Sequence, residues 1–176
     1  MSGRHATVTV ERAERLDGRD LSDLCDAAEA AILAGGGFGW LRPPPRETLE
    51  RFWRGVILVP ERILFLGRLD GVIAASVQLQ KPPRNNEAQG HAAQLTGHFV
   101  APWARGHGLA RTLVLSAEAE ARGLGFRVVT LDVRETQDAA IRLYESLGFE
   151  RWGSNPRYAL VEGRYITGHY YAKEVA

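Results

Sequence analysis

The sequence predicts an α+β chain, with a mixed sheet carrying helices on both faces. Three observations predict it. Residues 94–121, QLTGHFVAPWARGHGLARTLVLSAEAEA, read as a strand, a turn, a glycine-bearing loop and a helix. A second strand and helix follow over 127–133 and 136–147. Leu69-Asp70-Gly71 between two apolar runs marks a hairpin, and further strands close the chain. With 176 residues, 45% of them hydrophobic, the chain can bury a proper core and is expected to form one domain over 1–176.

In order, residues 7–12 alternate as an opening strand. Residues 20–34 are helical, with Leu21, Leu24, Ala28, Ala31 and Ile32 on one side, and the glycines at 35–37 stop the helix. Residues 35–45, GGGFGWLRPPP, form a mobile loop. Its Phe38 and Trp40 either wall a pocket or fold the loop onto the core. A short helix over 46–56 turns Leu49, Phe52 and Trp53 inward. Residues 62–67 and 72–80 make the hairpin, and 81–90, KPPRNNEAQG, a solvated loop. The 92–101 strand ends at Pro102. Leu109, Leu113, Ala117 and Ala121 then recur along one face of a helix spanning about 106–122. After the 136–147 helix, residues 149–153, 158–161 and 168–174 are expected as strands, with a turn at 161–164.

Composition excludes several classes. Lys+Arg 22 against Asp+Glu 21 leaves a net charge of +1, with no electrostatic footprint for nucleic acid. A single cysteine, Cys25, rules out an intramolecular disulfide framework and a Cys-cluster metal site; it reads as a small hydrophobe. No apolar run approaches the ~20 residues that span a bilayer. The first 20 residues are broken by charge every few positions, so no signal peptide is expected. A cytoplasmic protein, monomer or homodimer, without a metal or membrane partner, is the resulting expectation.

The stretch after residue 101 carries the chemistry. Gly106 and Gly108 remove side chains where a helix begins, so unpaired N–H groups of its first turn can face an anion. Arg105 adds positive charge at the mouth. The same spacing also suits a plain connecting turn. A dinucleotide fingerprint, with Asp132 as its acidic residue, fails because Arg111 stands at the third glycine. The P-loop pattern fails because no Gly-Lys-Ser/Thr follows.

Arg105, Gly108 and Ala110 also satisfy R-x-x-G-x-A, and here the chain resembles the acetyl-CoA-binding segment of the GNAT family of N-acetyltransferases. Residues 131–149, LDVRETQDAAIRLYESLGF, are similar to that family's strand, loop and helix ending in A-x-x-L-Y-x-x-x-G-F, here Ala140, Leu143, Tyr144, Gly148 and Phe149. The residues at 37–45, 50–53, 91–100 and 155–175 are similar to small bacterial members that modify antibiotics and toxins, such as the tabtoxin-resistance type. The resemblance implies the GNAT fold, a mostly antiparallel sheet splayed at its centre between the strands ending near Val100 and Val133. It implies acetyl-CoA as co-substrate. Backbone contacts from Phe99 and Val100 would meet the pantetheine arm. The segment Arg105, Gly106, His107, Gly108, Leu109, Ala110 and Arg111 would hold the diphosphate. Gln137 stands where the family often has an asparagine on the cofactor arm.

Acetyl transfer to an amine has needs that can be sized. An alkylamine of pKa ~10.4 costs about 4.6 kcal/mol to deprotonate at pH 7. A leaving thiolate of pKa ~8.5 benefits from a proton donor, worth roughly 10²–10⁴-fold. Orientation can supply about 7–11 kcal/mol. Tyr144 matches the family position beside the thioester sulfur, which makes it the implied donor. Many relatives carry a glutamate where Gln94 stands, and glutamine cannot accept a proton. If the strand is regular, Gln94, Thr96, His98 and Val100 share a face, so His98 is the nearest titratable candidate base. His91, Glu87 or a water chain are alternatives. The acceptor is expected to be a small-molecule amine, in a pocket lined by the 35–45 loop, the 81–90 loop and the tail around Tyr158 and Tyr165. Transfer to a protein N-terminus or lysine is the nearest rival, and a non-catalytic acyl-CoA-binding module the rival of another class.

Overall fold

The computed structural model describes residues 5–36 and 38–176. Gly37 of the expected loop and residues 1–4 of the charge-broken start lie outside them. Seven strands and four helices succeed one another: β1 Val8–Ala13, α1 Gly18–Leu33, α2 Arg46–Leu58, β2 Arg62–Leu69, β3 Val72–Gln80, β4 Ala92–Val100, α3 Leu109–Gly123, β5 Val128–Arg134, α4 Asp138–Ser146, β6 Glu150–Val161 and β7 Arg164–Glu174. The strands form one sheet in the order β1-β2-β3-β4-β5-β7-β6. Among the described residues only β4 and β5 run parallel; every other pair is antiparallel.

Each helix is held to the sheet by one apolar stripe. Asp17 caps α1 by accepting from the Asp20 amide at 2.8 Å, and Leu21, Leu24, Ala28, Ala31 and Ile32 are buried. Leu49, Trp53 and Val56 of α2 join them over Leu64, Leu66, Ile73 and Phe99 on one face of the sheet. Cys25 lies inside this layer, and burial pushes its thiol up to about 11, consistent with a hydrophobe rather than a reactive thiol. On the other face, Leu109, Leu113, Ala117 and Ala121 of α3, with Tyr144 of α4 and Leu147 just beyond it, cover Val77, Leu79, Leu95, Val129 and Leu131. Each fully buried leucine contributes roughly 1.5–3 kcal/mol. The two layers make β3 a strand buried along seven successive residues.

Two departures from the expected pattern shape the central cleft. First, β4 is not a regular strand. Gln78 pairs with Thr96 and Ser76 with Phe99, so three steps along β4 oppose two along β3. This is a β-bulge, and Gly97 sits in it at φ +57, where a side chain is strained. A Cβ there would also press on the Gln78 amide at 3.1 Å. The bulge reverses the strand's facing. Ala93 and Leu95 point into the α3 layer, whereas Phe99 points into the α1–α2 layer. Gln94 and Thr96 therefore do not share a face with His98 and Val100.

Second, the expected strands 149–153 and 158–161 are one strand, β6. Asn155 pairs with Gly168 and Ala159 with Ile166, so residues 156–158 bulge from the ladder. Pro156 has no N–H to give a neighbour, and the Arg157 amide is satisfied by Asn155 Oδ1 at 2.9 Å instead. The bulge lays the Tyr158 ring over Gly168, where a Cβ would run into the ring. Gly168→Ala is expected to cost roughly 1–3 kcal/mol through overpacking. Thermal unfolding checks this: adding Tyr158→Ala should restore much of the loss, and no recovery would separate the two residues.

Candidate active site

The parallel pairing of β4 with β5 is short. Ala92, Ala93 and Gln94 pair with Val128, Val129 and Thr130, and the ladder goes no further. Beyond it the strands splay, leaving the β5-facing edge of Leu95–Val100 without a ladder partner. A cavity of about 460 Å³ lies in the splay. Thr96, Gly97 and His98 line it from β4; Leu131, Asp132 and Arg134 from β5; Gln137 from the position just before α4; and Ala140 and Tyr144 from α4. Phe38, Gly39 and Leu41 close one side and Tyr158, Ala159 and Leu160 another.

The 35–45 loop is seated by aromatic packing and by cross-links. Phe38 is buried, 4.8 Å from the Phe99 ring and edge-on to Trp53. Arg134 donates to the carbonyls of Gly36 and Phe38 at 3.1 and 3.4 Å. Gln137 donates to the Gly35 carbonyl at 2.6 Å, so its amide nitrogen holds the loop. Both expected alternatives for this loop hold together: the ring that folds it down also walls the cavity.

Tyr144 and His98 meet at the cavity floor, with the hydroxyl 2.7 Å from His98 Nδ1. Burial raises the Tyr144 phenol well above its ordinary range, and the negative charge of Asp132 adds to the shift, so the hydroxyl keeps its proton at neutral pH. Burial lowers His98 to about 4, opposed by the Ala110 backbone, and among the described residues its Nε2 is buried without a hydrogen-bond partner. At neutral pH the imidazole is uncharged. Because the folded pKa lies below the ordinary 6.5, the unfolded chain binds this proton first on acidification. The stability from this site is complete above pH 6.5 and is lost as pH falls towards 4, by an amount on the order of 3 kcal/mol. Denaturant titrations across pH should show that loss flattened in His98→Gln; parallel profiles would contradict it.

Across the cavity, Asp132 accepts from Gln94 Nε2 at 3.0 Å on one oxygen and from the Tyr158 hydroxyl on the other. Burial, then the bond to Asp132, raises the Tyr158 phenol, so it too remains protonated and donates. In the sequence Asp132 stands out only as the acid of a dinucleotide fingerprint. The signal that marks it here, a partnership among β4, β5 and β6, reaches from Gln94 to Tyr158. The 81–90 loop and Tyr165 do not line this cavity. That loop joins β3 to β4 at the end opposite the splay, and Tyr165 stands exposed at the β6–β7 turn with Arg157 over its ring. Glu87 and His91 are exposed near that same far end and also stay outside.

The cradle forms beside the open end of β4. A short 3-10 turn at Pro102–Ala104 leads to Arg105, and Gly106 and Gly108 take φ +83 and +80 before α3 begins at Leu109, not at 106. No side chain caps α3, its first turn carries no acidic residue, and ideal Cβ atoms at both glycines meet nothing within 4 Å. Arg105, His107 and Arg111 are exposed around it, with His107 Nδ1 3.2 Å from the Ala104 carbonyl and Arg111 donating to Ser146 Oγ at 3.3 Å. Leu109 is buried, so its side chain serves the core and only its backbone faces outward. Phe99 likewise buries its ring and leaves its main chain at the edge. Among the described residues no three His, Cys, Asp or Glu side chains gather as metal ligands, and no helix is long and apolar enough to cross a membrane.

The family model for acetyltransferases of the GNAT family matches residues 25–149. The chain belongs to the GNAT family. An uncharacterized N-acetyltransferase encoded in the hisH-hisA intergenic region of Azospirillum brasilense is 69% identical over 130 residues, covering 74% of this chain and 77% of the relative. Among solved structures, yncA of Salmonella typhimurium, determined with its cofactor acetyl-CoA, superposes with TM-score 0.78 at 20% identity, covering 96% of this chain and 94% of that one. An N-acetyltransferase of Staphylococcus aureus Mu50 gives TM-score 0.82 at 16% identity, covering 97% and 99%. At such identities the agreement is one of fold: the splayed seven-stranded sheet is the GNAT sheet. Acetyl-CoA is the donor of GNAT acetyltransferases, and the bare cradle at Gly106 and Gly108 fits its diphosphate.

Proposed function

We propose that this chain is a cytoplasmic, single-domain N-acetyltransferase that moves the acetyl group of acetyl-CoA to the amine of a small molecule. The observation that carries the reading is the protonated Tyr144 hydroxyl at the floor of a cavity whose opposite wall holds the Asp132 carboxylate. At about 460 Å³ the cavity lies within the ~300–1,000 Å³ typical of small-ligand sites. The loop carrying Phe38 and the β6 bulge carrying Tyr158 flank it.

The roles derive from placement. Amides at the start of α3, with Arg105, Arg111 and His107 around them, bind a diphosphate. The unpaired edge of β4 near Phe99 and Val100 offers main-chain partners to an amide-bearing arm. When bound, acetyl-CoA supplies an activated acyl carbon and a thiol leaving group. Tyr144 holds a proton at its hydroxyl for that leaving group. His98, neutral and on the donor side of the sheet, orients the hydroxyl rather than receiving the amine's proton. Gln137, whose nitrogen holds the 35–45 loop, contributes to the arm's site through the loop it fixes.

Exposed Leu41 and Leu160 at the rim favour a second reading, a peptide N-terminus or lysine as acceptor. Free-thiol release from acetyl-CoA separates the two. Small amines tested beside an N-terminal peptide and a lysine peptide should give the larger kcat/KM, and a preference for either peptide would reverse the assignment.

A further inference from the structure

Resting on the acetyltransferase reading above, we propose that Asp132 binds the acceptor's ammonium group and takes the proton its nitrogen releases, making it the catalytic base of this site. Asp132 lines the cavity on the same face of the sheet as Gln94 and Thr96, opposite the face that carries His98. Its two oxygens are aimed by uncharged donors, Gln94 Nε2 and the Tyr158 hydroxyl. An ionised carboxylate has about four lone-pair sites, so two hydrogen bonds leave acceptor capacity towards the cavity.

Charge makes the same point. Among the described residues, no lysine, arginine or histidine nitrogen forms a salt bridge with Asp132. Arg134 lines the same cavity but donates to the Gly36 and Phe38 carbonyls, so a cationic ligand can pair with this half-buried carboxylate. The carboxylate and the Tyr144 hydroxyl also line the same cavity. Base and proton donor therefore flank the same point from opposite faces, through the gap where β4 and β5 part. No other carboxylate lines this cavity among the described residues, and Gln94 has no proton-accepting group of its own.

The transfer balances with these groups and solvent. One ammonium proton passes to an Asp132 oxygen and on to solvent, the freed nitrogen lone pair forms a bond to the acyl carbon, and a second N–H proton then passes to Asp132. The carbon–sulfur bond breaks with its electron pair on sulfur, which takes the Tyr144 proton. Solvent later restores both residues. The acceptor class is a primary amine that arrives as an ammonium ion.

The test uses free-thiol release with acetyl-CoA and, as acceptors, benzylamine, putrescine and the amino acids, together with CoA binding by calorimetry. For whichever of these amines the native chain acetylates best, Asp132→Asn should lower kcat/KM about a hundredfold and remove the acid-side break in its pH profile, with CoA affinity unchanged. Tyr158→Phe keeps the carboxylate but removes one of its donors, so the break should move to higher pH. Native kcat/KM and pH profile in Asp132→Asn overturn the proposal and leave the acetyltransferase reading standing. Should Asp132→Asn fail to fold, an unmoved break in Tyr158→Phe overturns it equally. A native chain that binds no CoA, or acetylates no amine, overturns both.

Discussion

Tyr144→Phe is expected to lower kcat by about 10²–10⁴-fold while CoA affinity stays within about twofold. On the proposed reading the hydroxyl serves the reaction, and the ring serves the fold. The ring is buried and packs 5.9 Å from Phe149 in the α3–α4 layer, so phenylalanine retains that packing. The substitution leaves His98 Nδ1 without its 2.7 Å partner, at a cost of roughly 1–3 kcal/mol in stability. A purely structural hydroxyl would show that stability loss alone. Steady-state kinetics beside thermal unfolding distinguishes the two, and turnover reduced less than about tenfold with the best acceptor would remove Tyr144 from the chemistry.

The second large effect is expected at the cradle. Gly106→Ala combined with Gly108→Ala should raise the Kd for CoA by about a hundredfold, or roughly 2.7 kcal/mol. Both glycines lie at positive φ, so each alanine strains the backbone by about 1–2 kcal/mol. Neither new methyl meets a protein atom within 4 Å, so the remaining penalty falls on whatever occupies the open corner. Gly125→Ala provides the control. Gly125 has φ +86 and the same open surroundings, but stands beyond the far end of α3. It should lose about as much stability per alanine and keep native CoA affinity. Calorimetry showing equal CoA losses in both variants would reduce the cradle to backbone strain.

Local chemistry makes most of the architecture readable. Asp70-Gly71 announces the β2–β3 hairpin, and the four-residue recurrence from Leu109 places α3 against the sheet. Arg105, Gly108 and Ala110, with Ala140, Leu143 and Tyr144 downstream, point to the donor side. The features that stay hidden depend on pairing between distant segments. Gly97 lies inside an alternating run, and only its register against Gln78 and Ser76 reveals a bulge that turns His98 away from Gln94. Pro156 looks like a strand break because a ladder that detours around three residues cannot be seen from one strand. Asp132 becomes a site residue only when the fold brings Gln94 and Tyr158 to its two oxygens.

The extra residue at Gly97 also sorts the protein's chemistry by surface. Gln94, Thr96 and Asp132 lie on the face where the amine is proposed to arrive, while His98 and Tyr144 lie on the face proposed for the thioester. Acceptor preference can then be rewritten from one side of a single backbone, leaving the handling of the shared acyl donor on the other side untouched. A library confined to positions 94 and 96, sparing the proposed base at 132, would explore new amines without eroding CoA recognition.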